Sequence, residues 1–211
     1  MILGLPGAGL ALAAYILTDN LSTAMIILGI TVGMVFVAHP DMRPFIAVAA
    51  AGVILIVIGV LFLVATTKNS DSFRVMRVLV WLQPEKYSDE GGYQTLQALY
   101  AIGSGGLFGR GLGNSIQKLG SVPEAQNDMI FSIICEELGI FGGIFVLILF
   151  GYLLYRLFFI AQNAPDLFGS LIVTGIFIHI ALQVILNIAV VLNLMPNTGV
   201  TLPFISYGGT S

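Results

Sequence analysis

Arg110, Lys118, Glu124, Asp128, Glu136 and Glu137 fall within one short stretch, RGLGNSIQKLGSVPEAQNDMIFSIICEELG. Elsewhere charge is scarce: 9% of the chain is Asp, Glu, Lys or Arg, against about 25% in ordinary soluble domains. Carboxylates and cations gathered this way support two kinds of chemistry. A carboxylate can take the proton of a weak nucleophile, and a cation can stabilise a leaving anion. Asp128 is the candidate base. It precedes Met129-Ile130-Phe131, where water gives way to an apolar span. Partial desolvation at such a boundary raises a carboxylate's pKa towards the range a general base needs. Ser132 and Glu136 continue its stripe at i+4 spacing. The plain structural alternative is that Asp128 complements the positive end of a helix, worth about 0.3–1 kcal/mol. Glu124 has an equally good structural reading, because Ser121-Val122-Pro123-Glu124 fits a capping box.

Other patterns carry less. The glycine run Gly103–Gly113 has no Lys-Ser or Lys-Thr after it, as a P-loop would, and no strand before it. It reads as a flexible loop, or as one whose backbone approaches a lipid diphosphate. His179, Gln183 and Asn187 recur every four residues in an apolar segment. Such a stripe is expected to face a bundle interior and to hydrogen-bond between helices. His39 beside Pro40 is a turn residue, and Cys135, the sole cysteine, is a buried, inert thiol. No His, Cys and carboxylate cluster has zinc-ligand spacing, so no metal site is assigned. No run of Lys or Arg is dense enough to neutralise successive phosphates, which excludes nucleic acid as a partner.

The elements that must position these residues are membrane helices. Hydrophobic residues make up 57% of the chain and its mean hydropathy is +0.99, with several apolar runs approaching the ~20 residues a spanning helix needs. Met1–Leu17 lacks the basic start and cleavage site of a signal peptide. The fold class is therefore an all-α integral membrane protein, a polytopic helical bundle with a long loop containing short amphipathic helices. Residues 1–65 hold three spans (Leu3–Leu17, Leu21–Ala38 and Phe45–Ala65). Residues 66–128 form the large loop with the candidate catalytic region. Residues 129–194 hold two further spans, and 195–211 are a Pro/Gly-rich loop. Within the large loop, Ser72–Leu82 places apolar residues among Arg74 and Arg77 and ends near Trp81, the pattern of a helix lying at the headgroup level. Gly92–Ile102 is a second short helix. Basic residues concentrate in this loop, and naive positive-inside counting would put it in the cytoplasm. Long loops obey that rule weakly, so charge alone does not orient the chain.

Several strings then point to a known family. Gly92-Tyr-Gln, Ala101-Ile-Gly-Ser-Gly-Gly and Gly111-Leu-Gly-Asn-Ser-Ile-Gln-Lys118 resemble the bacterial SEDS (shape, elongation, division, sporulation) membrane proteins. Pro123-Glu-Ala-Gln-Asn-Asp128-Met-Ile-Phe, Glu136-Glu-Leu-Gly139 and Leu202-Pro-Phe-Ile-Ser-Tyr-Gly-Gly-Thr-Ser211 extend the resemblance over essentially the whole chain. The Gly-Leu-Gly-Asn-Ser-Ile-Gln-Lys string is more like the division and sporulation branch (FtsW, SpoVE) than the elongation branch (RodA). Three strings depart from the family pattern. The usual His-Thr before the aspartate reads Gln126-Asn127, which hydrogen-bond but do not titrate near neutral pH. The usual Gln-Pro-Asp turn reads Thr18-Asp19-Asn20, and the final Gly-Gly-Ser-Ser reads Gly-Gly-Thr-Ser.

The resemblance implies a ten-helix protein of the bacterial plasma membrane, of which this chain would hold helices five to nine as an inactive fragment. It implies a peptidoglycan glycosyltransferase that polymerises lipid II during division or sporulation, with the large loop and Asp128 facing the extracytoplasmic side. A sugar hydroxyl would attack the anomeric carbon of a second lipid-linked saccharide, with inversion, and undecaprenyl diphosphate would leave. Asp128 would be the base. Lys118 and Arg110 would bind the departing diphosphate, with Arg74 and Arg77 as weaker candidates, and Glu124 would orient the acceptor or merely cap its helix. A divalent cation is the one candidate cofactor. Expected partners are lipid II, a class B penicillin-binding protein, other divisome proteins and membrane lipid. The rival readings are a lipid II flippase, which the His179/Gln183/Asn187 stripe would suit, and a scaffold for the penicillin-binding protein.

Overall fold

A computed structural model describes residues 4–18, 21–38, 73–87, 92–117 and 126–207. The expected span Phe45–Ala65 lies outside them. The described residues are helices, turns and coil, without a strand. In chain order the helices are α1 (Gly4–Thr18), α2 (Leu21–Ala38), α3 (Phe73–Leu82), α4 (Gly92–Gly105), α5 (Ile130–Gln162) and α6 (Leu167–Val191).

The apolar helices pack in the series α1–α2–α6–α5, with α4 lying against the start of α5. Lipid tails are as apolar as Leu, so helices in a membrane gain little from burial and depend on close fit, which small residues permit. Gly29 and Gly33, four apart on α2, supply it. A Cβ at Gly29 would lie 2.6 Å from Leu182 Cδ1 of α6, and one at Gly33 2.1 Å from Ile178 Cδ1. On the outer faces Phe141, Phe145, Ile148, Tyr152 and Tyr155 of α5, and Leu167, Ile172 and Ile176 of α6, are exposed. That is the arrangement of helices solvated by lipid. Asp166 starts α6, its carboxylate accepting from Gly169 N at 3.3 Å.

At 33 residues, α5 is longer than a membrane requires, and it is broken. Gly139 has φ 70° and ψ −171°, a backbone conformation that L side chains rarely adopt. Residues 140–162 beyond it extend roughly 35 Å, enough for a hydrocarbon core of ~30 Å. The kink breaks the helical hydrogen bonds from Ile140 to Glu136 and from Phe141 to Glu137. All four freed backbone groups, which could not be left unpaired in an apolar setting, are taken up by the glycine loop after α4. Arg110 N donates to Glu136 O (3.0 Å), Gly111 N to Glu137 O (2.9 Å), Ile140 N to Gly106 O (2.9 Å) and Phe141 N to Leu107 O (3.3 Å). Only glycine allows chains this close: a Cβ at Gly139 would lie 2.3 Å from Leu107 O. The expectation of a freely flexible Gly103–Gly113 loop is thus corrected. Residues 103–105 complete α4, and 106–111 are stitched to the kink.

The amphipathic helix is as anticipated, ending just before Gln83-Pro84. Trp81 Nε1 donates to Asn193 O at 3.1 Å and Asn193 Nδ2 to Trp81 O at 3.4 Å, tethering α3 to the segment that follows α6.

Candidate functional site

Two polar clusters lie along α4, one at each end. Around its first turn sits Asp128, in the turn 126–129 that leads into α5. The carboxylate is half-buried, and its Oδ1 accepts from Gln94 Nε2 at 3.2 Å. Its main chain is fixed separately. Asn187 of α6, 1% exposed, donates through Nδ2 both to Asp128 O (2.7 Å) and to Val200 O (2.8 Å). One side chain therefore holds the turn bearing Asp128 and the segment 195–207 together. That segment is also tied to α2 by Ser22 Oγ donating to Thr198 O (2.8 Å), and to the turn by Tyr207 N donating to Gln126 O (2.8 Å).

Behind Gln94 opens a cavity of about 210 Å³ between α3, α4 and the end of α6. Its wall includes Arg77, Trp81, Gln94, Asn193 and Asn197, with Met76 and Met195 as apolar cover. Among the described residues Arg77 is the one charged side chain on that wall. A guanidinium and several carboxamides facing a small space, with the carboxylate of Asp128 bonded to one of those carboxamides, can bind a polar group and an adjacent anion.

The second cluster lies at the other end of α4. Gln94 and Ser104 are separated by roughly 15 Å at the helical rise. Here Glu136 of α5 is 0% exposed and accepts from Ser115 Oγ, Ser104 Oγ (3.4 Å), Ile116 N (3.2 Å) and Gln117 N (3.4 Å). Arg110 Nη1 stands 3.6 Å from its Oε1. The cluster folds the Gly-Leu-Gly-Asn-Ser-Ile-Gln string around a buried carboxylate, with Asn114 Nδ2 bonding back to Arg110 O (3.3 Å).

Of the residues singled out from sequence, Asp128 and Arg77 come to the same end of α4, bridged by Gln94 and the cavity. Arg110 does not join them; it pairs with Glu136. Lys118 and Glu124 lie outside the described residues, as does the side chain of Arg74. The stripe Asp128, Ser132, Glu136 does face inward, with Ser132 and Glu136 buried. The stripe His179, Gln183, Asn187 does not behave as one face: Asn187 is buried, Gln183 half-buried and His179 exposed. A four-residue step overshoots the 3.6-residue turn, so two such steps rotate the stripe from the packed side to the open one. Cys135 is buried against α4, as expected. No three His, Cys, Asp or Glu side chains gather to hold a metal among the described residues. Sequence reading missed Gln94, Asn193 and Asn197; the signal for Gln94 was its place in the Gly92-Tyr-Gln string.

Comparison with known proteins assigns the family. The family model described as cell cycle protein, FtsW/RodA/SpoVE, matches residues 2–211. The chain belongs to the FtsW/RodA/SpoVE family. It is 42% identical over 209 residues to stage V sporulation protein E of Bacillus subtilis, covering 98% of this chain and 55% of that protein. It is 44% identical over 164 residues to the probable peptidoglycan glycosyltransferase FtsW of Bacillus subtilis, covering 78% of this chain and 41% of that one. Among solved structures, a chain of a peptidoglycan synthase complex that coordinates polymerization and crosslinking aligns with TM-score 0.66 and 30% identity, over 99% of this chain and 55% of that chain. A mutant of the rod shape determining protein RodA of Thermus thermophilus aligns with TM-score 0.55 and 28% identity, over 99% and 49%. The chain thus spans about half the length of the family members it matches.

Proposed function

We propose that this protein is a multi-pass peptidoglycan glycosyltransferase of the bacterial plasma membrane, polymerising lipid II into glycan strands during division or sporulation. The observation that carries the reading is the corner at the first turn of α4. Asp128 is half-buried there, held at backbone and side chain, beside a cavity bearing Arg77. The probable peptidoglycan glycosyltransferase name of its FtsW relatives supports the same chemistry.

In this reaction the hydroxyl oxygen of one lipid-linked saccharide attacks the anomeric carbon of another. A carbon–oxygen bond forms, and the bond to undecaprenyl diphosphate breaks with its electron pair. Asp128 accepts the hydroxyl proton as the bond forms. One displacement inverts the anomeric centre. Charge gathers on the departing diphosphate, and a guanidinium aimed at developing charge stabilises it. Arg77 is the described cation best placed for that, with Lys118 and Arg74 as further candidates. Arg110 bears on the reaction through Glu136 and the loop ending at Gln117 that leads to Lys118. Glu124 would orient the acceptor or merely cap its helix. Among the described residues no three His, Cys, Asp or Glu side chains gather to ligate a divalent cation. The active corner would face the extracytoplasmic side, where a class B penicillin-binding protein and other divisome proteins could take the new strand. The flippase reading rests on the His179/Gln183/Asn187 stripe; Asn187 donating to two carbonyls and His179 being exposed weigh against it.

The test is lipid II polymerisation in liposomes by the full-length protein with its penicillin-binding partner, with and without Asp128→Asn. Strands from wild type and none from an equally stable variant are expected. Strands from both would remove the base from Asp128, and strands from neither would favour transport or scaffolding.

A further inference from the structure

We propose that Gln94 and Asn197 are positioning residues that aim one lone-pair face of Asp128 at the nucleophile; this rests on the role proposed above for Asp128. The direction of a carboxamide is normally ambiguous, because its oxygen and nitrogen are nearly alike in shape. Here it is fixed from outside. Gly199 N, which can only donate, lies 2.9 Å from Asn197 Oδ1. The oxygen of Asn197 must therefore face Gly199, which leaves its Nδ2 to donate to Gln94 Oε1 at 3.3 Å. With its oxygen occupied, Gln94 in turn presents Nε2 to Asp128 Oδ1 at 3.2 Å. A backbone N–H on the segment after α6 thus sets, through two side chains, which atom of α4 meets the carboxylate.

The chemical consequence follows from what each atom can do. A carboxylate bonded by a donor at Oδ1 is stabilised as the anion. The same bond fixes the plane of the carboxylate, and so the direction in which its remaining lone pairs face the nucleophile. Reversal of the relay would set the carbonyl of Gln94 against Asp128, an arrangement that favours the protonated acid and removes the base. The other described groups at this corner do not set the direction of Gln94. α6 contributes the amide of Asn187, which bonds the main chain of Asp128. The cavity wall contributes the cation of Arg77 from α3. On α5, Glu136 and Glu137 stand roughly 12 Å further along the helix.

Gln94→Leu and Gln94→Glu separate the roles, assayed as kcat and KM for lipid II across pH by the full-length protein with its partner. Gln94→Leu leaves Asp128 unaimed, and kcat is expected to fall roughly 10- to 100-fold with KM little changed, since a misplacement of about 1 Å costs on the order of 100-fold. Gln94→Glu sets a second negative charge beside Asp128. Like charge disfavours ionisation, so the acid limb of the pH–rate profile moves to higher pH by about one unit or more. Gln94→Leu adds no charge, so an acid limb moved to higher pH in that variant reads the lost donor to Asp128, which a merely structural Gln94 would not supply. Asn197→Asp, which offers acceptors alone to Gln94 and so reverses it, is expected to shift the limb the same way, and it decides the matter should either Gln94 variant fail to accumulate. Wild-type kcat and an unmoved limb in the variants that fold, with Asp128→Asn inactive, would overturn the relay. Full activity of Asp128→Asn would instead overturn the assignment of the base.

Discussion

Replacing Glu136 by alanine should free the glycine loop while leaving the bundle intact, and the size of the effect can be worked from its contacts. The carboxylate is 0% exposed and serves Ser104, Ser115, Ile116 N and Gln117 N. Arg110, 37% exposed, contributes little through its charge, because solvent-screened pairs are worth about 0–1 kcal/mol. The main loss is the desolvated donors: each buried group left unpaired costs about 1–3 kcal/mol. Ser115 is buried, Gln117 half-buried and Ile116 exposed enough to find water, which brings the total to about 3 kcal/mol. At about 1.4 kcal/mol per factor of ten, local opening becomes roughly 100-fold more frequent. Hydrogen–deuterium exchange in detergent measures this directly. The amides of Ile116 and Gln117 should exchange about 100-fold faster in Glu136→Ala. Those of Arg110 and Gly111 should change less, because they bond the main-chain carbonyls of residues 136 and 137, and those of α6 should not change. Glu136→Gln keeps one acceptor but turns an NH₂ towards donors, and should fall between. Exchange at Ile116 and Gln117 within about threefold of wild type would refute the claim that this carboxylate organises the loop, since ~0.6 kcal/mol is below a single lost buried hydrogen bond.

Three other outcomes follow from the same contacts. Asn187→Leu strips the donor from Asp128 O and Val200 O and should destabilise the protein by about 1–3 kcal/mol, read as a lower melting temperature and faster proteolysis of residues 195–207. Gly139→Ala forces a side chain into a positive-φ kink with a contact at 2.3 Å and should sharply reduce detergent-stable yield. Gly151→Ala, whose Cβ would meet open space, is its control. Trp81→Phe removes the bond to Asn193 O, worth about 0.5–1.5 kcal/mol, and amide exchange across α3 should rise roughly 2- to 10-fold.

Much of this protein was legible in its sequence because lipid makes local demands. Each apolar run must satisfy its own backbone, so composition and length alone specified helices where α1, α2, α5 and α6 lie. The amphipathic spacing around Arg74 and Arg77 did the same for α3. Asp128 stood out because a carboxylate at the edge of an apolar span is costly without a purpose. What tertiary structure decided was pairing. Arg110 and Asp128 look like neighbours along the chain, yet α4 separates their clusters. Glu136 resembles a second acid of the site, yet it is the buried centre of a loop. The break at Gly139 was invisible because its replacement hydrogen bonds come from residues some thirty positions away. The aim of Gln94 depends on a backbone N–H more than a hundred positions away. Periodicity reports which face of a helix is apolar, but partners that close only in three dimensions leave no period to read.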